Sequence, residues 1–389
     1  MKIGFDISQT SSTKAGCGYY ADIFYKKLLA NNDIKVRGYR SFGDSFYDEG
    51  FNTIGLDKFK GLLRSVSPSH PNNEFAHTSL IKCSSFWDKE NFNNNSYREL
   101  GSPDIIHSNN FFFPPTNKYC KSVYTLYDLS FYANPLWTSE ANWAVCSKGV
   151  FKASYNADHI VTISEFSKNS FLELFPNFDQ KNISVVYPTS RFESYKANPL
   201  FKGIEALINK DFFICVGTLE PRKNHIAILE AYCDFVKNFK GIPPMLVLVG
   251  GSGWLFGKTT DFIKEKNLGE HVIFTGYVTD DELFWLYQNC ILNIYFSFYE
   301  GFGMPVLEAL SANALTVTSA IEPFGELFGN AVIRAESNER NFLADLLNLV
   351  VRSPNQFSHL KKDNFEIKRK FDLDTNVEKL INLYKEMSK

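Results

Sequence analysis

Two short stretches of this chain combine cations, carboxylates and glycines at spacings suited to an anionic, hydroxyl-rich ligand. The first is Gly217-Thr-Leu-Glu-Pro-Arg-Lys-Asn224, placed where the apolar run Phe212–Val216 ends and a helical pattern begins. A helix start presents unpaired N–H groups and positive partial charge, so it suits an anion. Arg222 and Lys223 add two full charges there. A diphosphate leaving group needs such neutralisation; Arg grips it through two parallel hydrogen bonds, whereas Lys acts as a point charge. Alone, the motif also fits an ordinary solvated basic helix start. The second stretch is Glu300-Gly-Phe-Gly-Met-Pro-Val-Leu-Glu308. Gly301 and Gly303 permit close approach of the backbone to a ligand, and their N–H groups suit phosphate or sugar oxygens. Pro305 is well placed as a first helical residue. A carboxylate such as Glu300 or Glu308 accepts from two vicinal hydroxyls, as on a ribose. Alone, this motif also fits a glycine turn with one exposed Glu and one Glu complementing the helix dipole.

The elements that must position these groups alternate between strand and helix. Lys2–Ile7 predicts a strand and Tyr19–Ala30 a helix. Asp104–His107, Ser122–Tyr127, His159–Ile163 and Ile183–Tyr187 predict further strands, with a helix over Ala141–Asn156. Phe42–Leu100 gives no readable elements, and residues 190–210 lack periodicity and are the best linker candidate. The pattern restarts with strand Phe212–Val216, helix His225–Phe239, strand Met245–Val249 and helix Thr259–Lys266. It continues through strand Val272–Thr275, helix Asp280–Asn289, strand Ile291–Tyr295, helix Pro305–Ala312 and strand Leu315–Thr318. Repeated strand–helix units imply parallel sheets covered on both faces, with ligands beyond the carboxyl ends of the strands. Between two such domains the cleft is the expected site.

Size and composition agree with this picture. A chain of 389 residues is long for one hydrophobic core, and two α/β domains are the natural expectation. A net charge of −2 argues against a dedicated nucleic-acid binder. The seven cysteines are scattered, with no C-x-x-C pair and no His at zinc-ligand spacing, which predicts free thiols in a reducing compartment. The start, MKIGFDISQT, reads as a strand rather than a signal peptide, and no apolar run is long enough to span a bilayer. A cytoplasmic location is the default.

Taken together, the two motifs resemble those of glycosyltransferase family 4, the retaining GT-B group, and the resemblance runs over nearly the whole chain. GTLEPRKN, LVGGSGWL, VIFTGYVTDDELFWLY and SFYEGFGMPVLEAL look like that family's blocks in the right order. In the first half the similar pieces are Gly16-Cys-Gly-Tyr-Tyr20, DIIHS, ADHIVTISEFSK and ISVVYP. The resemblance implies an α/β GT-B fold. Two Rossmann-like domains would face each other across a cleft: an acceptor-binding domain over 1–192 and a nucleotide-sugar-binding domain over 205–370. A C-terminal helix, 374–389, would cross back to the first domain. It implies transfer of a hexose from a nucleotide-diphosphate sugar to a glycan or lipid-linked glycan in bacterial surface polysaccharide assembly, without a metal or other cofactor. GDP-mannose is the first expectation for the donor.

The same resemblance implies roles residue by residue. Arg222 and Lys223 would hold the diphosphate, with Gly217 in the same loop. Glu308 would bind the ribose hydroxyls and Glu300 the donor sugar, helped by backbone contacts from Gly301, Phe302 and Gly303. The Tyr277–Val278 backbone would border the base, and Gly16 and Gly18 would form a loop of the first domain closing over donor and acceptor. Three departures stand out. Tyr127-Asp128 replaces the family's usual His-Asp, and both residues are kept as catalytic candidates because a neutral Tyr can still donate a hydrogen bond. Asn313-Ala-Leu replaces Gly-Val/Thr-Pro after the second Glu, and Tyr19 stands where Arg is common.

Other patterns read as structural. Gly16-x-Gly18-x-x-Ala21 lies too far beyond its strand for a dinucleotide fingerprint. Asp372-Leu-Asp374 reads as a helix start capped by Asp374, and Asp280-Asp281-Glu282 as a helix-start acidic cluster. His107 reads as a packed strand-end residue, and His225 and His271 as exposed. A peripheral contact with a membrane surface is a further expectation for a lipid-linked acceptor, with Lys26, Lys27, Lys58, Lys60 and Arg64 as candidates; scattered surface Lys explains them equally. Two other functions stay open: a sugar-nucleotide epimerase or hydrolase, and a non-catalytic sugar-nucleotide-binding protein.

Overall fold

The computed structural model describes residues 1–10, 14, 16–40, 74–75, 94–115, 119–198, 203–253, 256–336, 339–360 and 364–389. Most of Phe42–Leu100, including Lys58, Lys60 and Arg64, lies outside them. The chain divides into two compact units, one formed by Met1–Thr189 with Asp372–Lys389 and the other by Ser190–Phe371.

The first unit is built from β1 (Lys2–Asp6), α1 (Gly16–Leu29), β2 (Lys35–Tyr39), β3 (Glu74–Phe75), α2 (Asn94–Glu99), β4 (Ile105–Ser108) and β5 (Lys121–Leu126). It continues through α3 (Ser130–Ala133), α4 (Glu140–Asn156), β6 (His159–Thr162), α5 (Glu165–Leu174) and β7 (Ile183–Val185). Its strands form one parallel sheet in the order β3-β2-β1-β4-β5-β6-β7. The second unit holds β8 (Phe212–Val216), α6 (His225–Asn238), β9 (Met245–Val249), α7 (Phe256–Glu265), β10 (Val272–Gly276), α8 (Asp280–Asn289) and β11 (Leu292–Tyr295). After these come α9 (Met304–Ser311), β12 (Thr316–Ser319), α10 (Glu322–Phe328), β13 (Ile333–Ala335), α11 (Arg340–Arg352) and α12 (Asn364–Lys370). Its parallel sheet runs β10-β9-β8-β11-β12-β13. Both orders reverse direction at one point, between β1 and β4 and between β8 and β11, and such switch points open a crevice at the carboxyl ends of the strands. The last helix, α13 (Leu373–Met387), belongs to the first unit.

The apolar runs form central strands because both faces of each sheet are covered. Side chains alternate across a strand, so Phe213 and Cys215 of β8 pack with Ile228, Leu229 and Tyr232 of α6. Phe212, Ile214 and Val216 pack on the other face with Leu283, Leu286 and Tyr287 of α8. The last helix buries Val377, Leu380, Ile381 and Tyr384, a single stripe at helical spacing. The Tyr384 hydroxyl bonds Nδ1 of His107, whose Nε2 lies 2.7 Å from Thr125 Oγ1. Burial pushes His107 down to about 3, so it is a neutral, packed residue.

Several details differ from the sequence reading. Helix α1 begins at Gly16 rather than Tyr19, so Gly16 and Gly18 sit in its first turn and not in a free loop. The cap of α13 is Asp372, which accepts from Thr375 N at 2.8 Å, while Asp374 pairs with Lys27. Lys26 pairs with Asp22 at 2.8 Å. The segment after Ser190 is no slack linker: Phe192 is buried against Phe284 and Tyr287 of α8. The acidic start of α8 grips the same segment, through Asp280 to Arg191 (2.7 Å), Asp281 to Tyr195 Oη (2.9 Å) and Glu282 to Gly203 N (2.8 Å).

Candidate functional site

The two motifs meet at the switch point of the second unit, one following β8 and the other β11. Pro221–Lys223 forms a 3-10 turn, Asn224 adopts a left-handed conformation (φ 56°), and only then does α6 begin. Arg222 and Lys223 therefore precede the helix rather than lying in its first turn. Arg222 Nη1 donates to the Tyr299 carbonyl at 2.8 Å, and the Arg222 carbonyl accepts from Phe298 N at 2.8 Å, which ties the two loops together. Its guanidinium also pairs with Glu300 Oε2 and Glu220 Oε1, each at 2.8 Å. Lys223 Nζ reaches Glu300 Oε1 and the Tyr295 hydroxyl, both at 2.6 Å, and Tyr295 donates to the same carboxylate oxygen at 3.0 Å. Burial alone would raise the Glu300 carboxyl, but the two cations outweigh it and hold it at about 2, so the group is ionised at neutral pH. An ammonium offers three donors, of which Tyr295 and Glu300 take two. Tyr295, at the end of β11, was missed in the sequence; its position five residues before Glu300 was the available signal.

Glu308 stands on α9 in a second cluster. It is 3% exposed and faces Arg191, with Nε–Oε1 at 3.0 Å and Nη2–Oε2 at 3.4 Å. Burial raises its carboxyl; Arg191 offsets part of that rise. Arg191 was not singled out in the sequence, because nothing local marks an ion pair between residues 117 positions apart. The glycine-to-Asn313 departure is structurally conservative. Asn313 adopts φ 61° just past the end of α9, Ala314 N bonds the Ala309 carbonyl at 2.9 Å, and Asn313 N bonds that of Leu310 at 3.1 Å. This is a Schellman ending, and Asn is the best substitute for glycine at its left-handed position.

The neighbouring loops complete one crest along the sheet's edge. Gly217 N bonds the Val249 carbonyl at 2.8 Å, and Gly250 N bonds that of Gly276 at 2.9 Å. Tyr277 is 77% exposed, with its ring against the backbone of Gly251, and Val278 packs partly into the core. The Phe302 ring is buried against Phe328 and Phe371, which leaves only the backbone of Gly301–Gly303 to meet a ligand. Gly303, at φ 97°, caps α9, and a Cβ there would meet the Phe324 ring at 2.7 Å. His225, read as exposed, is buried at 1% exposure, and burial lowers it to about 4.

The remaining candidates lie in the first unit, at its own switch point. Tyr127 donates to the Asn109 carbonyl at 2.8 Å and lies 3.4 Å from that of Cys17. It is buried, so its only proton is committed within the unit. Asp128 accepts from Ser130 N at 3.0 Å, opening α3. Between β1 and β4, Asp6 accepts from Ser8 (N at 2.8 Å, Oγ at 2.6 Å) and from Asn110 Nδ2 at 2.6 Å. Burial lifts this carboxyl to about 6 despite the Ser8 bonds. Asp6 was also missed, although it closes the first strand. Gly18 packs so tightly that a Cβ would lie 2.1 Å from the Gln9 carbonyl oxygen. Gly18→Ala is therefore expected to destabilise the first unit by about 1–3 kcal/mol; an unchanged urea midpoint would contradict this packing.

Two Rossmann-like units, each opening at its switch point, define a GT-B type architecture. Residues 200–366, most of the second unit, match the family model of the glycosyl transferases group 1. The chain is 29% identical over 243 residues to O-antigen chain mannosyltransferase B of Escherichia coli, covering 60% of this chain and 62% of that protein. It is 28% identical over 168 residues to a Campylobacter jejuni N-acetylgalactosamine-N,N'-diacetylbacillosaminyl-diphospho-undecaprenol 4-alpha-N-acetylgalactosaminyltransferase, covering 42% of this chain and 43% of that one. The matches thus span about three-fifths or less of these relatives. In fold, the chain is similar to Anabaena HepE, solved in complex with UDP and glucose, with a TM-score of 0.71 and 18% identity over 99% of this chain and 100% of that one. Among the described residues, no helix is long and apolar enough to cross a membrane.

Proposed function

We propose that this protein is a retaining glycosyltransferase. It would move a hexose, with GDP-mannose as the first donor to test, onto a glycan or lipid-linked glycan during surface polysaccharide assembly. The observation that carries the reading is the Arg222–Glu300–Lys223 cluster at the switch point of the unit that matches the glycosyl transferases group 1. As the bond between sugar and diphosphate breaks, negative charge grows on the departing phosphate. Preorganised cations in a poorly solvated site stabilise that charge without reorganising. Glu300, kept ionised by the same cations, accepts hydrogen bonds from the donor sugar's hydroxyls and sets its orientation. The acceptor hydroxyl passes its proton to the departing phosphate. Tyr127 and Asp128 act from the first unit, Tyr127 by holding the Asn109 backbone in place. The mannosyltransferase relative supports the choice of sugar, and the undecaprenol-linked substrate in the Campylobacter name supports a lipid-linked acceptor.

A thermal-shift series with GDP, UDP and ADP tests the nucleotide class. A ligand at about 100 times its Kd adds about 2.7 kcal/mol of apparent stability, so one of the three is expected to raise Tm clearly, GDP first. If millimolar concentrations of all three leave Tm unchanged, the reading fails. Incubation of the donor without acceptor separates the alternatives, since an epimerase would convert it to its epimer with no acceptor present.

A further inference from the structure

The geometry points to Arg191 as a positioning residue for nucleoside recognition, its guanidinium bridging the buried Glu308 and Asp280 so that one edge of the Glu308 carboxylate stays aimed at a ribose. The inference rests on the reading above that Glu308 serves the ribose.

Arg191 is well placed to do this. Its side chain is 13% exposed: Nη1 donates to Asp280 Oδ1 at 2.7 Å and Nη2 to Glu308 Oε2 at 3.4 Å, while Nε stands 3.0 Å from Glu308 Oε1 as an ion-pair contact rather than a hydrogen bond. The guanidinium also lies over the Phe192 ring, 4.9 Å from its centre. Phe192 is itself fixed in the core against Phe284 and Tyr287, so the backbone beside Arg191 has little freedom. Asp280 opens α8 and Glu308 lies within α9; one side chain thus locks two helix faces to the segment that enters the second unit.

The chemistry follows from lone-pair counting. An ionised carboxylate has about four acceptor positions over two oxygens. Arg191 engages the Glu308 carboxylate from one side, by the Nη2 bond to Oε2 and by its charge beside Oε1, which leaves other acceptor positions for a vicinal diol. A buried carboxylate without a cation would tend to take up a proton and become a poor acceptor for two hydroxyls. Lysine supplies the charge but not a planar group that spans two carboxylates. Arg191 thus favours the charged form of Glu308 and fixes its aim without touching the ligand itself.

The test uses the full chain and compares binding of GDP with 2′-deoxy-GDP, and of UDP with 2′-deoxy-UDP, by calorimetry on the wild type, Glu308→Gln, Arg191→Gln and Arg191→Lys. The wild type is expected to prefer the ribonucleotide by about tenfold or more, the range of a hydrogen bond to a charged group. Arg191→Gln and Arg191→Lys should each bring that preference close to one. A fall in overall stability alone would leave the ratio untouched, so the ratio reports positioning. If Arg191→Gln does not fold, Arg191→Lys carries the same test, because it keeps the charge and loses the planar group that bridges Glu308 and Asp280. Loss of preference in Glu308→Gln with its retention in both Arg191 variants would overturn the role of Arg191 alone. A wild type that does not distinguish ribose from deoxyribose, or a Glu308→Gln variant that still does, would instead remove the ribose reading of Glu308.

Discussion

Replacing Lys223 by alanine is expected to lower kcat by about 10²–10³, the loss found when one preorganised donor to a developing oxyanion is deleted, about 2.7–4 kcal/mol. The expectation rests on where the ammonium sits. It is 2.6 Å from Glu300 and 2.6 Å from Tyr295 at the end of β11, with its side chain largely buried. There a charge acts more strongly on a departing phosphate than it would at the surface. Glu300 keeps Arg222 as a partner in the variant, so the fold should survive and the loss should fall on turnover rather than on expression. Steady-state rates at saturating donor, with melting curves as a control, decide the matter. A folded Lys223→Ala protein with near-normal turnover would remove the diphosphate role from this cluster.

The second large effect is on stability. Glu300→Ala leaves Lys223, 12% exposed, without its carboxylate and Arg222, 15% exposed, with Glu220 alone. Breaking a buried pair from one side typically costs about 3–5 kcal/mol, and that loss is expected in urea denaturation of the second unit. Glu300→Gln keeps the shape and removes only the charge, which gives a pH signature. The folded carboxyl lies near 2 against an ordinary 4.5. Because the folded value is the lower one, its contribution is complete above the ordinary value and is lost as pH falls towards 2. The stability gap between wild type and Glu300→Gln should therefore narrow from about pH 5 to about pH 3. A constant gap would argue against the ion pair.

How much of this was legible depended on whether the signal was local. Buried parallel strands announce themselves as apolar runs, so FFICV and MLVLV could be bounded to the residue. The motifs following β8 and β11 were readable because strand ends, glycines and charges cluster within a few positions. Partnerships across the sequence were not. Arg191 looked like one residue of an aperiodic linker because its meaning lies in Asp280 and Glu308. His225 looked exposed because its polarity was visible and its surroundings were not. The α1 boundary was misplaced because glycines read as a loop, although Gly18 is required there by the Gln9 carbonyl that crowds it.

The placement of α13 sets an order of assembly. The second unit is one uninterrupted segment, whereas the first is completed by residues made after that segment has ended. His107 receives its partner Tyr384 from 277 positions downstream. During synthesis the later unit therefore has all of its chain while the earlier one still lacks its last helix and, with it, the partner of His107. The part translated first is the part that closes last.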